Sequence, residues 1–215
     1  MKKYRGIIFD IDGTITSTNK LIFATFNYIA EKYEGKTYTD EEIISMFGPP
    51  EDVILKEKFN GNKYNKIYDE YYKFYRENHP QMADLYPGIV EILKTLKEKN
   101  ILTSVFTGKG RKTTEITLDI LGIKNYFDLI VTGDDVKNHK PSPEGILKFI
   151  DTFKLNKNEV LMIGDSVHDI IAAKEAGVDI VSVVWDSYAK EEVIKLNPLH
   201  FESVNTFREW LFQHI

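Results

Sequence analysis

The stretch Ile7-Ile8-Phe9-Asp10-Ile11-Asp12-Gly13-Thr14 decides the fold of this chain. It begins as an apolar strand and ends in two carboxylates, one residue apart, before a sharp turn at Gly13. Side chains alternate along a strand, so Asp10 and Asp12 share one side and converge just beyond its carboxyl end. Two anions this close repel each other, and a hard divalent cation is the simplest counter-charge. The stretch therefore predicts a buried strand with a cation site at its tip.

The composition excludes several classes of function. Of the 215 residues, 42% are hydrophobic and 28% are charged, which is typical of a globular protein with a substantial core. The net charge is -5 with both signs interspersed, which argues against a nucleic-acid-binding surface. The absence of cysteine excludes disulfides, thiolate zinc sites and cysteine nucleophiles. The five histidines show no paired metal-ligand spacing, so none is expected to be a ligand.

The sequence also bears on location and partners. No stretch approaches transmembrane length, and the apolar run that follows the basic N-terminus is too short for a signal peptide. We therefore expect a cytoplasmic protein, a monomer or a homodimer, with no membrane or nucleic-acid partner.

Two patterns divide the rest of the chain. From Thr16 to Asp84 helical signals dominate, and the predicted helices are 20–33 with Asn19 as cap, a short one opened by a capping box at Thr39, 51–59 and 64–77. Phe47-Gly48-Pro49-Pro50 is expected to break this region, Gly61 to separate its last two helices, and Pro80 and Pro87-Gly88 to mark its end. From Pro87 helices alternate with apolar runs, and Asn205 is expected to cap the last helix. The predicted strands are 5–11, 101–106, 128–132, 160–164, 179–185 and 200–203.

Apolar runs between helices predict a mostly parallel sheet that helices cover on both faces. The expected architecture is α/β. It consists of a Rossmann-like core formed by residues 1–15 and 86–215, and an inserted α-helical cap formed by residues 16–85.

Four predicted strand ends or the loops beside them carry polar residues. Ligands of open α/β sheets bind outside the carboxyl ends of the strands, so these residues are expected to meet at one site. In chain order they are Asp10 and Asp12, Thr107 and Gly108, Lys140, and Asp165 with Asp169 one helical turn later.

The acidic members of this set suit phosphoryl transfer, which depends on positioning and on stabilising charge. Asp10 would attack phosphorus to give an aspartyl-phosphate, which is the carboxylate form of covalent catalysis. Asp12 would protonate the leaving alkoxide and then take a proton from the hydrolytic water. Asp165 would complete a Mg²⁺ site, because Mg²⁺ prefers oxygen ligands and needs only one or two carboxylates.

The remaining members would hold the phosphate. Thr107 and the Gly108 N–H precede a helix, whose N-terminus favours an anion, and would bind phosphate oxygens. Lys140 would offset the charge of the pentacoordinate phosphorus. Lys109 and Arg111 flank the phosphate-binding turn, where a solvated helix start is favoured over contact with a second anionic group of the substrate.

These segments match, in order and context, the four motifs of a known family. The segments are Asp10-Ile-Asp-Gly-Thr14, Thr107-Gly108, Lys140-Pro141 and Gly164-Asp-Ser-Val-His-Asp169. The chain resembles the haloacid dehalogenase-like hydrolase superfamily, and in particular its phosphoglycolate phosphatase-like branch, which has a helical cap between motifs one and two. The resemblance implies that Asp10 is the nucleophile. It also implies that Asp10, the main-chain carbonyl of Asp12, and Asp165 bind Mg²⁺. Many members carry an acid where this chain has Thr16.

Two further expectations concern single residues. Asp169 could serve the helix dipole, or it could order Lys140 or a metal-bound water. The tyrosines of the cap recur at helical spacing, which favours a core or inter-domain face over a substrate cage. They are Tyr64, Tyr68, Tyr71, Tyr72 and Tyr75.

The favoured function is a Mg²⁺-dependent phosphatase that acts on a small phosphorylated metabolite. Asp12 argues against a dehalogenase, because a halide leaving group needs no proton. A phosphomutase of the β-phosphoglucomutase type and a pyrophosphatase remain alternatives. Outside this class, a phospho-receiver or a non-catalytic binding module stays open, although a receiver needs neither Asp12 nor a helical insertion after the first strand.

Overall fold

The computed structural model describes residues 3–59 and 64–215. Within these residues a six-stranded parallel sheet has the strand order β3-β2-β1-β4-β5-β6. The strands are β1 Gly6–Phe9, β2 Leu102–Phe106, β3 Leu129–Val131, β4 Val160–Gly164, β5 Asp179–Val183 and β6 His200–Phe201.

The helices fall into two groups. Those inserted between β1 and β2 are α1 Asn19–Glu34, α2 Asp40–Ile44, α3 Glu51–Lys58, α4 Tyr64–Met82 and α5 Ile89–Glu98. Those that alternate with the later strands are α6 Arg111–Ile120, α7 Glu144–Phe153, α8 Val167–Ala176, α9 Lys190–Leu196 and α10 Val204–Phe212. The Rossmann-like α/β architecture expected from the sequence is confirmed.

Strand β1 lies at the centre of the sheet, paired with β2 on one side and β4 on the other. All four of its residues are buried. Ile7 and Phe9 pack with α5 and α10, whereas Ile8 packs with α7 and α8. Because helices cover both faces, the strand is a continuous apolar run rather than an alternating one. The chain order reverses at β1, so the tip of β1 opens into the crevice where such sheets bind ligands.

Helices α1 to α4 form a cluster with its own apolar core, here called the helical cluster. Its fully buried members include Leu21, Ile29 and Leu55. Tyr71, Tyr72 and Tyr75 are buried in this core, which confirms the packing role expected for the tyrosines of α4.

Several contacts attach the helical cluster to the rest of the fold, and two of them show how it is oriented. The chain leaves β1 and returns at neighbouring points, where Thr16 forms an antiparallel bridge with Leu85 and Ser17 N donates to Asp84 O at 2.8 Å. Farther away, α4 packs against α6, and the hydroxyls of Tyr75 and Thr117 are 2.9 Å apart. These contacts set the helical cluster over the carboxyl ends of the strands.

Three predicted helix boundaries are wrong, and strands β1 and β5 are shorter than the predicted 5–11 and 179–185. Asn19 is the first residue of α1, and Thr18 occupies the N-cap position. Helix α4 continues through Pro80 to Met82, because packing of buried His79 against Thr117 outweighs the cost of a proline in the last turn. Ser203 caps α10, accepting from Thr206 N at 3.3 Å, whereas Asn205 lies inside that helix. The predicted break at Gly61 lies outside the described residues.

Across residues 3–59 and 64–215, no helix combines the length and the apolar character that crossing a bilayer requires.

Candidate active site

The turn after β1 brings the first and fourth motifs together. Gly13 has φ +79°, and a Cβ atom there would lie 2.5 Å from Oδ2 of Asp165. Only glycine therefore allows the turn to approach Asp165 this closely. Thr14 Oγ1 donates to Asp165 Oδ1 at 3.0 Å, and Ser187 Oγ donates to the Asp165 carbonyl at 2.6 Å.

Three buried carboxylates meet at this point. Asp10, Asp165 and Asp169 each place one oxygen within 4.8 Å of the others. Burial, with repulsion from Asp169 and Asp12, raises the pKa of Asp10 to about 6 despite the opposing effect of Lys140. Burial and repulsion from Asp10 and Asp169 also raise the pKa of Asp165 well above its ordinary value. Burial and mutual repulsion both disfavour the charged form of these carboxylates, and a cation bound between them would offset that cost.

Lys140 supplies one positive charge. Its Nζ lies 2.8 Å from Asp10 Oδ1, 2.7 Å from Asp169 Oδ1 and 3.2 Å from the Phe106 carbonyl. Burial alone would lower the pKa of Lys140, but Asp10 and Asp169 raise it above its ordinary value. The side chain is thus a fixed, buried ammonium.

Asp169 contacts both Lys140 and the start of α8. Its Oδ1 binds Lys140, while its Oδ2 accepts from Ser166 N at 3.1 Å and Ser166 Oγ at 2.6 Å. Ser166 in turn caps α8 by accepting from Asp169 N. Both oxygens of Asp169 are engaged in this way. Asp10 Oδ2 and Asp165 Oδ2 have no hydrogen-bond partner among the described residues, and carboxylate oxygens are the ligands that Mg²⁺ prefers.

The carboxylate of Asp12 lies apart from this acidic group. Lys109 Nζ is 3.1 Å from both of its oxygens, and Thr18 donates a hydrogen bond to Oδ1. Lys109 also sits over the ring of Tyr75, 4.9 Å from the ring centroid. Burial would lower the pKa of Lys109, but Asp12 and Tyr75 raise it.

The solvated position favoured for Lys109 is therefore wrong. Its side chain is only 5% exposed, because the charge of Asp12 draws it inward. Arg111 lies outside the cavity lining, and its partly exposed guanidinium is not simply solvated: it pairs with Asp135 and donates to the Ile130 carbonyl at 3.1 Å.

The second motif forms the turn between β2 and α6. Thr107 is buried, and its hydroxyl accepts from Lys109 N at 3.2 Å. The N–H of Gly108 has no hydrogen-bond partner within the described part of the chain. Both residues line the same cavity as Asp10, which leaves this N–H available to an anion.

A cavity of about 360 Å³ lies between the strand ends and the helical cluster. It is lined at the strand ends by Asp10, Asp12, Thr107, Gly108, Lys109, Lys140 and Asp165. Its volume falls in the range of about 300–1,000 Å³ that is common for small-molecule sites. The sheet and the helical cluster therefore enclose one site that contains all four motifs.

Sequence reasoning missed a link between the helical cluster and α6. The buried carboxylate of Glu51 accepts from Gly110 N at 2.7 Å and from Thr113 Oγ1 at 2.6 Å. It thus satisfies donors at the start of α6 from another part of the chain. The acidic start of α3 was visible, but nothing in the sequence indicated a partner 59 residues away. Thr16 is also buried, and its hydroxyl donates to Ile11 O at 3.1 Å.

A family model described as haloacid dehalogenase-like hydrolase matches residues 7–183. The chain belongs to the haloacid dehalogenase-like hydrolase family. This result confirms the resemblance seen in the four motifs, and it places the chain among hydrolases.

Individual relatives agree with this family assignment. The chain is 35% identical over 199 residues to "Putative pyrophosphatase PpaX" of Caldanaerobacter subterraneus subsp. tengcongensis, covering 93% of this chain and 90% of that protein. A "predicted phosphoglycolate phosphatase" from Haemophilus somnus 129PT has a TM-score of 0.86 at 21% identity, covering 98% and 99% of the two chains. A "putative beta-phosphoglucomutase" from Thermotoga maritima has a TM-score of 0.77 at 26% identity, covering 100% of both chains.

Proposed function

We propose that this hydrolase is a Mg²⁺-dependent phosphatase that cleaves a small phosphomonoester through an aspartyl-phosphate on Asp10. The observation that carries the proposal is the environment of Asp10. Its Oδ1 is held by Lys140, its Oδ2 has no partner among the described residues, and it lines the cavity beside Thr107 and Gly108. A buried carboxylate held in this way is suited to attack a bound phosphoryl group.

The proposed metal site uses the carboxylates of Asp10 and Asp165 and the main-chain carbonyl of Asp12. When bound, Mg²⁺ would neutralise carboxylate and phosphoryl charge. The raised pKa values of Asp10 and Asp165 support this assignment, because a cation would relieve their burial and repulsion.

The proposed reaction has two steps. Asp10 Oδ2 forms a bond to phosphorus as the bond to the leaving oxygen breaks, and Asp12 transfers a proton to that oxygen. Water then attacks the aspartyl-phosphate, Asp12 takes one proton from it, and phosphate leaves Asp10 as a free carboxylate. The ester and one water thus give an alcohol and phosphate. Lys109 positions Asp12 during both proton transfers.

Charge stabilisation comes from the groups around the cavity. Lys140 would offset the charge on phosphorus, and Asp169 keeps its ammonium in place. The Thr107 hydroxyl and the Gly108 N–H would bind phosphoryl oxygens. We further propose that residues 16–85 act as a cap domain that excludes bulk water and contributes to substrate selection.

Two related activities have specific support. The name of the Caldanaerobacter relative favours a pyrophosphatase, and the likeness to the Thermotoga structure favours a phosphomutase. A mutase would convert a sugar phosphate to its isomer, whereas a phosphatase releases inorganic phosphate, so product analysis separates them.

The test is phosphate release from 4-nitrophenyl phosphate by the full chain, with and without Mg²⁺, for the wild type and for Asp10→Asn. We expect Mg²⁺-dependent turnover that the substitution abolishes. Asp151→Asn is the matched control, because Asp151 is exposed on α7. Turnover that survives Asp10→Asn would refute the nucleophile. No turnover of any ester would favour a receiver or binding module.

A further inference from the structure

The cavity has two chemically different ends. The end at the strands carries the charged residues of the four motifs. The other end is formed by the helical cluster and is mostly apolar. Its apolar side chains are Ile22, Phe26, Ile44, Phe47, Ile54 and Tyr71.

The apolar end is a fixed part of the fold. Phe26 is 4% exposed and Ile54 is 6% exposed, and both belong to the core of the helical cluster. The rings of Phe26 and Tyr71 pack edge to face with centroids 5.3 Å apart. These side chains are held by packing, so they present a preformed apolar wall to whatever occupies the cavity.

The lysines that line the cavity are already committed to carboxylates, and the other basic residue of the described lining, His168, lies at the start of α8 and not on the helical cluster. Of the described lining residues, the lysines are Lys109, paired with Asp12, and Lys140, paired with Asp10 and Asp169. Among its described residues, the helical cluster contributes no Lys, Arg or His to the lining. It does contribute Glu51, whose carboxylate is held at the start of α6.

This distribution of charge discriminates between leaving groups. If the transferred phosphoryl group lies at Asp10, the rest of the substrate extends toward the apolar wall. A second phosphate or a carboxylate placed there would lose its hydration without gaining a cation, which is unfavourable. An apolar group would instead bury its surface against the aromatic and aliphatic side chains.

We infer that the leaving group is an uncharged alcohol with a substantial apolar part, such as an aryl alcohol. This inference rests on the proposed phosphatase function and narrows its substrate class. The inference predicts that pyrophosphate and phosphoglycolate are poor substrates, because their leaving groups carry negative charge.

The first test compares kcat/KM for 1-naphthyl phosphate, phosphoglycolate and inorganic pyrophosphate with Mg²⁺ present. Glycerol phosphate serves as a substrate with an uncharged but polar leaving group. We expect kcat/KM for 1-naphthyl phosphate to exceed that for phosphoglycolate and for pyrophosphate by at least tenfold. The value for glycerol phosphate should lie between that of 1-naphthyl phosphate and those of the two anionic-leaving-group substrates.

A second test changes the charge of the wall. Ile44 is half-buried at the end of α2 and lines the cavity, so Ile44→Lys adds a cation at the apolar end. We expect kcat/KM to fall at least fivefold for 1-naphthyl phosphate and to rise for phosphoglycolate or pyrophosphate. Ile120→Lys is the matched control: Ile120 is 38% exposed on α6 and does not line the cavity.

The outcomes separate this inference from the proposed function. If the wild type prefers pyrophosphate or phosphoglycolate and Asp10→Asn abolishes that turnover, the inference is overturned while catalysis by Asp10 stands. If Ile44→Lys leaves the ratio of kcat/KM between 1-naphthyl phosphate and the anionic-leaving-group substrates unchanged, the apolar wall does not select the leaving group and the inference is again overturned. If none of the four compounds releases phosphate, both the inference and the proposed function fall.

Discussion

Lys109 Nζ lies 3.1 Å from each carboxylate oxygen of Asp12, although the two residues are 97 positions apart in the chain. Their side chains are 5% and 20% exposed, so the pair is largely shielded from water. Thr18 donates to the same carboxylate. The proton transfers proposed for Asp12 require its carboxylate to keep one orientation through both steps, and these contacts hold it in place.

Replacing Lys109 tests this positioning role. Lys109→Met keeps the length of the side chain but removes its charge. We expect kcat for an alkyl phosphate to fall by about 10- to 100-fold, which is less than the roughly 10²- to 10⁴-fold contribution of general acid catalysis, because Asp12 itself is still present. The fall should be smaller for 4-nitrophenyl phosphate, whose leaving group scarcely needs a proton. Lys94→Met, at an exposed position on α5, is the control. Equal losses on both substrates would contradict the role.

Replacing Asp169 tests the anchoring of Lys140. Asp169→Asn keeps the shape of the side chain and the possibility of capping α8, but it removes a buried charge partner of Lys140. We expect a loss of about 1–3 kcal/mol in the free energy of unfolding, measured by urea denaturation, because a buried charge loses a partner. We also expect kcat to fall at least tenfold. Unchanged stability and kcat would show that Lys140 does not depend on Asp169 for its position.

Replacing Glu51 tests the link between α3 and α6. Glu51→Leu leaves Gly110 N and Thr113 Oγ1 without their buried acceptor. We expect about 1–3 kcal/mol of destabilisation in urea, which is the usual cost of an unsatisfied buried donor. Glu57→Gln, at an exposed position on the same helix, should change stability by less than about 0.5 kcal/mol. Equal effects of the two substitutions would argue against the link.

Because His79 is buried and its pKa is lowered, we expect the protein to lose stability in mild acid. Burial and repulsion from Lys109 lower the pKa of His79 to about 4, although Asp12 and Asp84 act in the opposite direction. As the pH falls, His79 is protonated near pH 6.5 in the unfolded chain but only near pH 4 in the folded chain. The stability that His79 contributes above pH 6.5 is therefore lost as the pH falls toward 4. The full loss of this contribution, reached below pH 4, is about 3 kcal/mol.

The measurement is urea denaturation at pH 7.5 and pH 5 for the wild type and His79→Gln. The loss between the two pH values should be smaller in the variant, because Gln does not titrate. Carboxylates such as Asp10 titrate in both proteins and cancel in the difference. His168→Gln, at an exposed position on α8, should behave as the wild type does. An equal loss in His79→Gln would contradict the assignment.

Binding of Mg²⁺ should depend on pH. Because the pKa of Asp10 is raised to about 6, protons compete for its carboxylate as the pH falls through that value. We expect saturating Mg²⁺ to raise the Tm by several degrees at pH 7.5 and by much less at pH 5. Asp165→Asn should remove most of the increase at pH 7.5. A Tm increase that is independent of both pH and Asp165 would place the ion elsewhere.

The sheet and the site motifs were predictable because their signals are local. Each strand is an apolar run, and β4 has the predicted bounds of 160–164. The acidic pair, the turn after β2 and the fourth motif follow strands directly, so parallel topology alone brings them to one edge.

The remaining features depend on partners that are distant in the chain. Burial of Lys109 requires Asp12, and the role of Glu51 requires Gly110. The continuation of α4 through Pro80 requires packing against Thr117. Local propensity predicts a solvated lysine, an ordinary acidic helix start and a helix that ends before proline. Tertiary contacts outweigh all three preferences.

The bridge between Thr16 and Leu85 has a consequence for how such proteins diversify. A segment whose two ends meet at one point can be lengthened, shortened or exchanged while the register of every strand is preserved. If a different segment were inserted at this junction, the reacting groups at the strand ends would remain in place. The hydrolytic site can therefore stay the same on this scaffold while the inserted segment changes.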